Sequence, residues 1–291
     1  MERVTPTVFT DTTLRGCNPS FVVTSDGVVV IDTPQLPTRA VAMRAEAESH
    51  GPLRYLINTE HHVDHIFGNY FFRGACPVVE HRGVFDNFMV VTPDLDPYAY
   101  AREAIPTDDP EGAEIFPDRE TYYADPNKGS IVFTGDLTLS VGDRTFRILH
   151  TPGHTPGQVA VHVPEDRVVF TGDTVFCECQ TWLMTSNIDQ WIAALDRIGS
   201  LDAGSRHPRS RPGHYARLSR GAALEPARLE GRRGGRGGEG LVAPGDDRTR
   251  QLRRPLSGRH RSGLHDGSHP DAQRRVVVGQ VHDDSGWVNE S

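Results

Sequence analysis

Asn58-Thr59-Glu60-His61-His62-Val63-Asp64-His65-Ile66-Phe67-Gly68-Asn69 packs three histidines, an aspartate and a glutamate into the six positions 60–65. The run before it, Leu53-Arg54-Tyr55-Leu56-Ile57, is short and largely apolar and predicts a buried strand. The ligand-type side chains therefore leave the carboxyl end of a strand and enter a loop, where α/β folds usually place their chemistry. Imidazoles and carboxylates at this density suit zinc or a similar divalent ion, which takes N and O ligands at about 2.0–2.2 Å. The competing reading is a polar loop whose histidines meet only solvent.

Upstream, Phe21-Val22-Val23 and Val28-Val29-Val30-Ile31 predict two strands joined through Thr24-Ser25-Asp26-Gly27, a hairpin signal. Residues 36–50 are alanine-rich with charges spaced for a surface helix, which Gly51-Pro52 stops. Downstream, residues 66–72 begin a helix, and Pro77-Val78-Val79 predicts a strand closely followed by His81. Residues 83–130 are aromatic, acidic and proline-rich, with Phe85, Phe88, Tyr98, Tyr100, Phe116, Tyr122 and Tyr123. A long insertion of this kind is either a structural cap or a substrate-facing lid. Residues 131–133, 137–139 and 145–149 predict a second strand set with Gly-Asp turns, residues 159–163 and 167–170 another hairpin, and residues 189–198 an amphipathic helix.

Three separated motifs bear a family resemblance. Glu60-x-His62-x-Asp64-His65 resembles the His-x-His-x-Asp-His signature of the metallo-β-lactamase superfamily of metal-dependent hydrolases, with glutamate in the first position. His150-Thr151-Pro152-Gly153-His154-Thr155-Pro156-Gly157 resembles its third metal motif, with His154 as ligand and His150 as a structural neighbour. Thr171-Gly172-Asp173-Thr174 resembles the segment that carries the bridging carboxylate. Gly16-x-Asn18 and Ile31-Asp32-Thr33 are similar to the superfamily's opening.

The resemblance spans residues 5–199 and implies an α/β (α+β) fold, a four-layer αβ/βα sandwich of two mixed sheets face to face with helices outside. It implies that Glu60, His62 and His154 hold one ion while Asp64, His65 and Asp173 hold the other, Asp173 bridging. Two ions about 3.5–4 Å apart would lower the pKa of a shared water toward ~7, and Asp64 would be the catalytic group that orients it. The implied cofactor is zinc, one ion or two, with iron or manganese as alternatives. The implied reaction is hydrolysis of a small-molecule ester, thioester, lactone or lactam. A β-lactamase proper, a mononuclear iron enzyme of persulfide-dioxygenase type and a non-catalytic metal-binding protein remain as other readings.

No apolar run approaches the ~20 residues of a membrane span, and the amino terminus has no basic-then-apolar leader, so a cytoplasmic protein with no membrane partner is expected. Cys17, Cys76, Cys177 and Cys179 are too few and too scattered for a disulfide framework; Cys177-x-Cys179 reads as two free thiols. The net charge of −8 conceals a split: residues 1–199 carry 14 basic and 28 acidic side chains, residues 200–291 carry 17 and 11. The acidity of the insertion at 83–130 argues against a nucleic-acid partner or another strongly anionic polymer as substrate. Oligomeric state is left open.

Residues 200–291 form an irregular Arg/Gly-rich tail without periodicity, its composition unable to offset ordering entropy by burial. An arginine-rich arm or a second domain would have such charge. A frameshift fits better: Arg, Gly, Pro, Ala, Ser and His are what a GC-rich gene yields out of frame. With permitted codons, residues 203–220 read one nucleotide later give PVRVIPGHGPVITRAYL, whose PGHGP is similar to the superfamily's last metal motif. Its histidine falls where Ser210 stands, and neither His207 nor His214 is expected to replace it. The sequence thus predicts a catalytic unit at 1–199, incomplete at its C-terminal end, and an out-of-frame or disordered remainder.

Overall fold

The computed structural model describes residues 1–90, 92, 94–177, 181–201, 276–278 and 280–281. In chain order the strands are β1 (Glu2–Arg3), β2 (Val8–Thr10), β3 (Ser20–Thr24), β4 (Gly27–Ile31), β5 (Leu53–Ile57), β6 (Val78–His81), β7 (Ile131–Phe133), β8 (Leu137–Val141), β9 (Arg144–His150), β10 (Val159–Val163), β11 (Val168–Phe170), β12 (Phe176–Cys177), β13 (Val276–Val278) and β14 (Gln280–Val281). The α-helices are α1 (Pro37–His50), α2 (Val63–Ile66), α3 (Arg82–Asp86), α4 (Pro97–Glu103), α5 (Ile105–Asp108), α6 (Arg119–Ala124) and α7 (Ile188–Gly199). None of the helices among the described residues is long and apolar enough to cross a membrane.

β1 to β7 form one sheet in sequence order; β13-β11-β10-β9-β8 form the second, and β12 and β14 pair apart. The first sheet is antiparallel through β4 and parallel from β4 to β7. Period-2 alternation along β4 makes the layers. Val29 and Ile31 face inward with Val22, Ile57 and Val79 to meet Phe146, Ile148, Val159, Val161 and Phe170 of the second sheet. Val28 and Val30 face outward with Phe21 and Leu56 onto Met43 and Ala47 of α1. On the far side Ala160 and Val169 pack on Ile198 of α7. The order helix, sheet, sheet, helix is the four-layer sandwich. Full burial of each such aliphatic side chain contributes roughly 1.5–3 kcal/mol, so these two inner faces dominate stability.

Three expectations are corrected. Residues 131–149 do not form one strand set: β7 pairs parallel to β6, while β8 and β9 belong to the opposite sheet. Gly135, at φ +73°, turns the chain between them, and Asp136 Oδ1 secures the turn by accepting the His150 amide. The segment following α2 is a 3-10 turn over Phe67–Phe72, not an α-helix. The tail is not wholly irregular, because Val276-Val277-Val278, a β-branched triplet, pairs parallel to β11 and β14 pairs with β12. The segment 203–220 on which the frameshift expectation rests, with Ser210, His207 and His214, lies outside the described residues.

The insertion is built as a cap. Tyr122 stacks on Phe67 at 4.5 Å and Phe116 on the same ring at 5.1 Å, with Tyr98 edge-on to Phe116. Tyr98 and Tyr122 are buried with Val63 and Ile66 of α2. These aromatics pack behind the His-rich loop and hold it in place.

Candidate metal centre

All six residues expected at the site come from loops at one end of the two sheets. Thr59 to His65 leave β5, His154 sits between β9 and β10, and Asp173 follows β11. The first loop is held by a buried amide lattice: Asn69 Nδ2 donates to Asn58 Oδ1 (2.8 Å) and Thr33 Oγ1 donates to Asn69 Oδ1 (2.8 Å). The single turn of α2 then brings His62 and His65 round to one side.

Glu60, His62 and His154 form one triad, and Glu60, His65 and Asp173 another, each with one ligand-type atom per residue all within 4.8 Å of one another. Glu60 thus belongs to both, with Oε2 2.7 Å from His62 Nδ1 and Oε1 3.2 Å from His65 Nε2 and 3.5 Å from His154 Nε2. Asp173 also reaches across, Oδ1 to His65 Nε2 at 3.2 Å and Oδ2 to His154 Nε2 at 3.6 Å. Asp64 stands beside both triads, its Oδ2 3.7 Å from His65 Nε2. Gly16 backs it: at φ +102° it has no side chain to collide with Asp64, whose Cβ would lie 2.8 Å from an added methyl.

Both Glu60 oxygens, His62 Nε2, His65 Nε2 and Asp173 Oδ1 are buried without a well-directed hydrogen bond. So many orphaned lone pairs converging on one volume are costly unless a cation satisfies them. The electrostatics agree. Burial opposes the charge of His65, yet Glu60, Asp64, Asp173 and Asp32 outweigh it and raise its pKa well above the usual imidazole range. His62 is raised against burial in the same way, chiefly by Glu60. Burial likewise opposes the Glu60 carboxylate, but His62, His154 and His65 hold it well below the usual range. This excess of carboxylate draws in positive charge, and N and O donors of this kind fit a divalent ion.

Two supports had no assigned role in the sequence. Asp32 Oδ2 lies 2.9 Å from His65 Nδ1 and fixes Nε2 toward the site, while the same carboxylate accepts the Thr59 amide (2.7 Å) and hydroxyl (2.6 Å). The Trp182 carbonyl is 3.2 Å from His154 Nδ1 and does the same for that ring. Asp32 was legible as part of a motif; a backbone carbonyl leaves no sequence signal at all.

The remaining histidines do other things. His61 turns edge-on to His62, and burial together with His62 pushes its pKa down to about 4, so it is neutral. His150 stacks on His81 at 4.0 Å, with Nε2 2.9 Å from the Pro156 carbonyl, the structural place expected for it. Cys17 and Cys76 are free thiols; Cys179 and the side chain of Cys177 lie outside the described residues.

Comparison with known proteins gives the chain a family. Residues 12–208 match the family model described as the metallo-beta-lactamase superfamily. A hydroxyacylglutathione hydrolase of Maricaulis maris (strain MCS10) is 27% identical over 184 residues, 62% of this chain and 56% of that protein. An acyl-coenzyme A thioesterase of Gallus gallus is 32% identical over 82 residues, 28% of this chain and 29% of that protein. The chain thus spans between about a third and about half the length of these curated relatives. Among solved structures, a metallo-beta-lactamase family protein from Thermus thermophilus superposes with a TM-score of 0.53 at 19% identity, covering 79% of this chain and 82% of that one. A metallo-beta-lactamase from Pontibacter korlensis gives 0.52 at 18%, covering 77% and 96%. At such identities these two likenesses speak for the fold alone.

Proposed function

The chain belongs to the metallo-beta-lactamase superfamily, and from that premise we propose that it is a metal-dependent hydrolase of small-molecule thioesters. The observation that carries the reading is the pair of triads sharing Glu60, five of whose buried ligand-type atoms lack a well-directed hydrogen bond. Thioesters are favoured over lactams because both curated relatives described above bear thioester-hydrolase names.

Glu60, His62 and His154 would hold one ion, and His65 and Asp173 a second with Glu60 or Asp64 completing its set; zinc suits this mixture of imidazole and carboxylate. A divalent cation there supplies Lewis acidity toward water and toward a carbonyl oxygen. The chain's own groups do the rest. Asp64, at the edge of the triads, orients the attacking water through Oδ2 and takes its proton. Asp32 and the Trp182 carbonyl keep His65 and His154 from rotating out of position. The cap behind α2 keeps the His-rich loop in register.

The test is turnover of a hydroxyacylglutathione and an acyl-coenzyme A thioester, with metal content measured on the same sample. Activity should vanish on chelation and return with zinc. His62→Ala and Asp173→Ala should each lose both bound metal and turnover, by about 100-fold or more. Retained metal stoichiometry in either variant would sink the ligand assignment, and metal without turnover on any thioester would sink the hydrolase reading.

A further inference from the structure

The segment Thr181-Trp182-Leu183-Met184-Thr185-Ser186-Asn187-Ile188 contains no charged residue, in a chain of which 24% is charged. Trp182, Leu183, Met184 and Ile188 expose 50, 52, 64 and 43% of their surface, the densest group of exposed large apolar side chains among the described residues. Scattered exposed apolar residues are ordinary; four within seven positions are not.

Their position is fixed. The Trp182 carbonyl meets His154 Nδ1 at 3.2 Å, Ser186 Oγ donates to the His154 carbonyl at 3.3 Å, and the Asn187 amide donates to the Gly153 carbonyl at 2.8 Å. The stretch is therefore tied to the metal-centre loop at both ends. Phe176 and Trp191 flank His154 from within, at 6.1 and 5.3 Å between ring centroids, so the same imidazole has an apolar wall on its buried side and the stretch 182–188 tied to its loop. His62 and His61 continue a row of rings from His154, with neighbouring centroids 5.0 and 4.9 Å apart, and the backbone of Val90, a residue 45% exposed, hydrogen-bonds His61.

We propose that residues 182–188 are the acyl-binding rim of this site, receiving a medium or long saturated acyl chain; this rests on the thioester reading above. A neutral apolar rim offers nothing to an anionic group, whereas each methylene it covers adds about two- to four-fold in affinity. Both the acyl chain and the thiol arm are bonded to the reacting carbonyl; of the two, the acyl chain is the apolar one, and an uncharged rim beside His154 suits it.

The test uses the zinc-loaded full chain and the double variant Leu183→Ser/Met184→Ser, whose exposed positions leave the fold intact. Calorimetry would compare binding of the decanoyl and acetyl ketone analogues of an N-acetylcysteamine thioester, in which a methylene replaces sulfur and hydrolysis cannot occur. The unsubstituted protein is expected to prefer the decanoyl analogue by on the order of 100-fold, and the variant to lower that preference about tenfold. An unchanged preference overturns the rim. So does a change in hydrodynamic mass with the preference intact, which assigns the stretch to self-association. Absence of turnover with both the hydroxyacylglutathione and the acyl-coenzyme A thioester, while the variant still lowers the binding preference, would sink the hydrolase reading and support the rim.

Discussion

Asp32 shows what one side chain does for the site. It ends β4 at φ +55°, a left-handed conformation uncommon for anything but glycine, asparagine or aspartate. That twist lets one carboxylate serve the Thr59 backbone, the Thr59 hydroxyl and His65 Nδ1 together. Replacing it with asparagine keeps the shape and removes the charge that orients the imidazole, so metal affinity should fall about 10- to 100-fold in chelator competition. An unaltered affinity would reduce Asp32 to a backbone device. Glu80 is a different case. It is fully buried on β6 with neither oxygen well hydrogen-bonded, and Gly129 packs so close that an added methyl would lie 2.5 Å from Oε2. Burial pushes its pKa up to about 7, against the Gly129 amide and Lys128. The native state thus holds the proton more tightly than the unfolded chain. Stability from this group is full below about pH 4.5 and is lost as pH rises through 7, by about 3 kcal/mol in all. Glu80→Gln should match the parent near pH 4 and exceed it by about that amount at pH 8; urea midpoints that stay parallel across the range would refute this.

At the scale of elements, α1 illustrates a helix finished by a distant part of the chain. Its N-cap position, Leu36, supplies no side-chain acceptor. Asp109 of the insertion does so instead, Oδ2 accepting the Thr38 amide at 2.9 Å and Oδ1 the Thr38 hydroxyl at 2.6 Å. A carboxylate at a helix N-terminus is favourable for both the orphan amides and the dipole. Asp109→Ala should cost about 1–2 kcal/mol and lower Tm by about 2–8 °C, with Thr38→Ala adding little on top. Full additivity of the two would mean that they do not act through one contact. The same element shows where the sequence is readable. Residues 36–50 and the β-branched runs of β3, β4, β10 and β11 carry their own periodicity, and the helix and strands form where expected. The insertion does not. α3 to α6 are four to seven residues long and started by His81, Asp96, Asp118 or a proline, too short to leave a helical period to detect. The tail triplet at 276–278 pairs with β11, a partner about a hundred residues away in sequence that local patterning does not reveal. The metal loop was legible as chemistry because its ligand types are crowded into six positions. Glu60's place in both triads was not, since it depends on how two distant loops meet.

Over the whole molecule, the site is a seam. Glu60, His62 and His65 come from the seven-stranded sheet, while His154 and Asp173 come from loops of the five-stranded one. Apolar packing joins the two inner faces along their length. At this end that packing gives way to carboxylates and imidazoles, several of them buried and unpartnered. Without a cation the carboxylates of Glu60, Asp64 and Asp173 are balanced only by buried imidazoles that must take up protons, and burying those charges opposes closure. A bound ion would take over that balance and link the sheets. Free metal at 100 times its Kd should therefore add about 2.7 kcal/mol to the folded state, and chelation should lower Tm by roughly 5–11 °C. The loss should be local in its first effects. Amides of the loops at 152–158 and 171–175 should exchange faster on chelation, while β4 and β10, held by the inner core, should not. Chelation that leaves Tm and these amides unchanged would mean that the sheets close without an ion. The carboxylates at the seam would then have to be neutralised by protons, and His62→Ala should lower Tm in the metal-free protein as much as in the metal-loaded one. If the ion is the clamp, that substitution should matter far more to the loaded form.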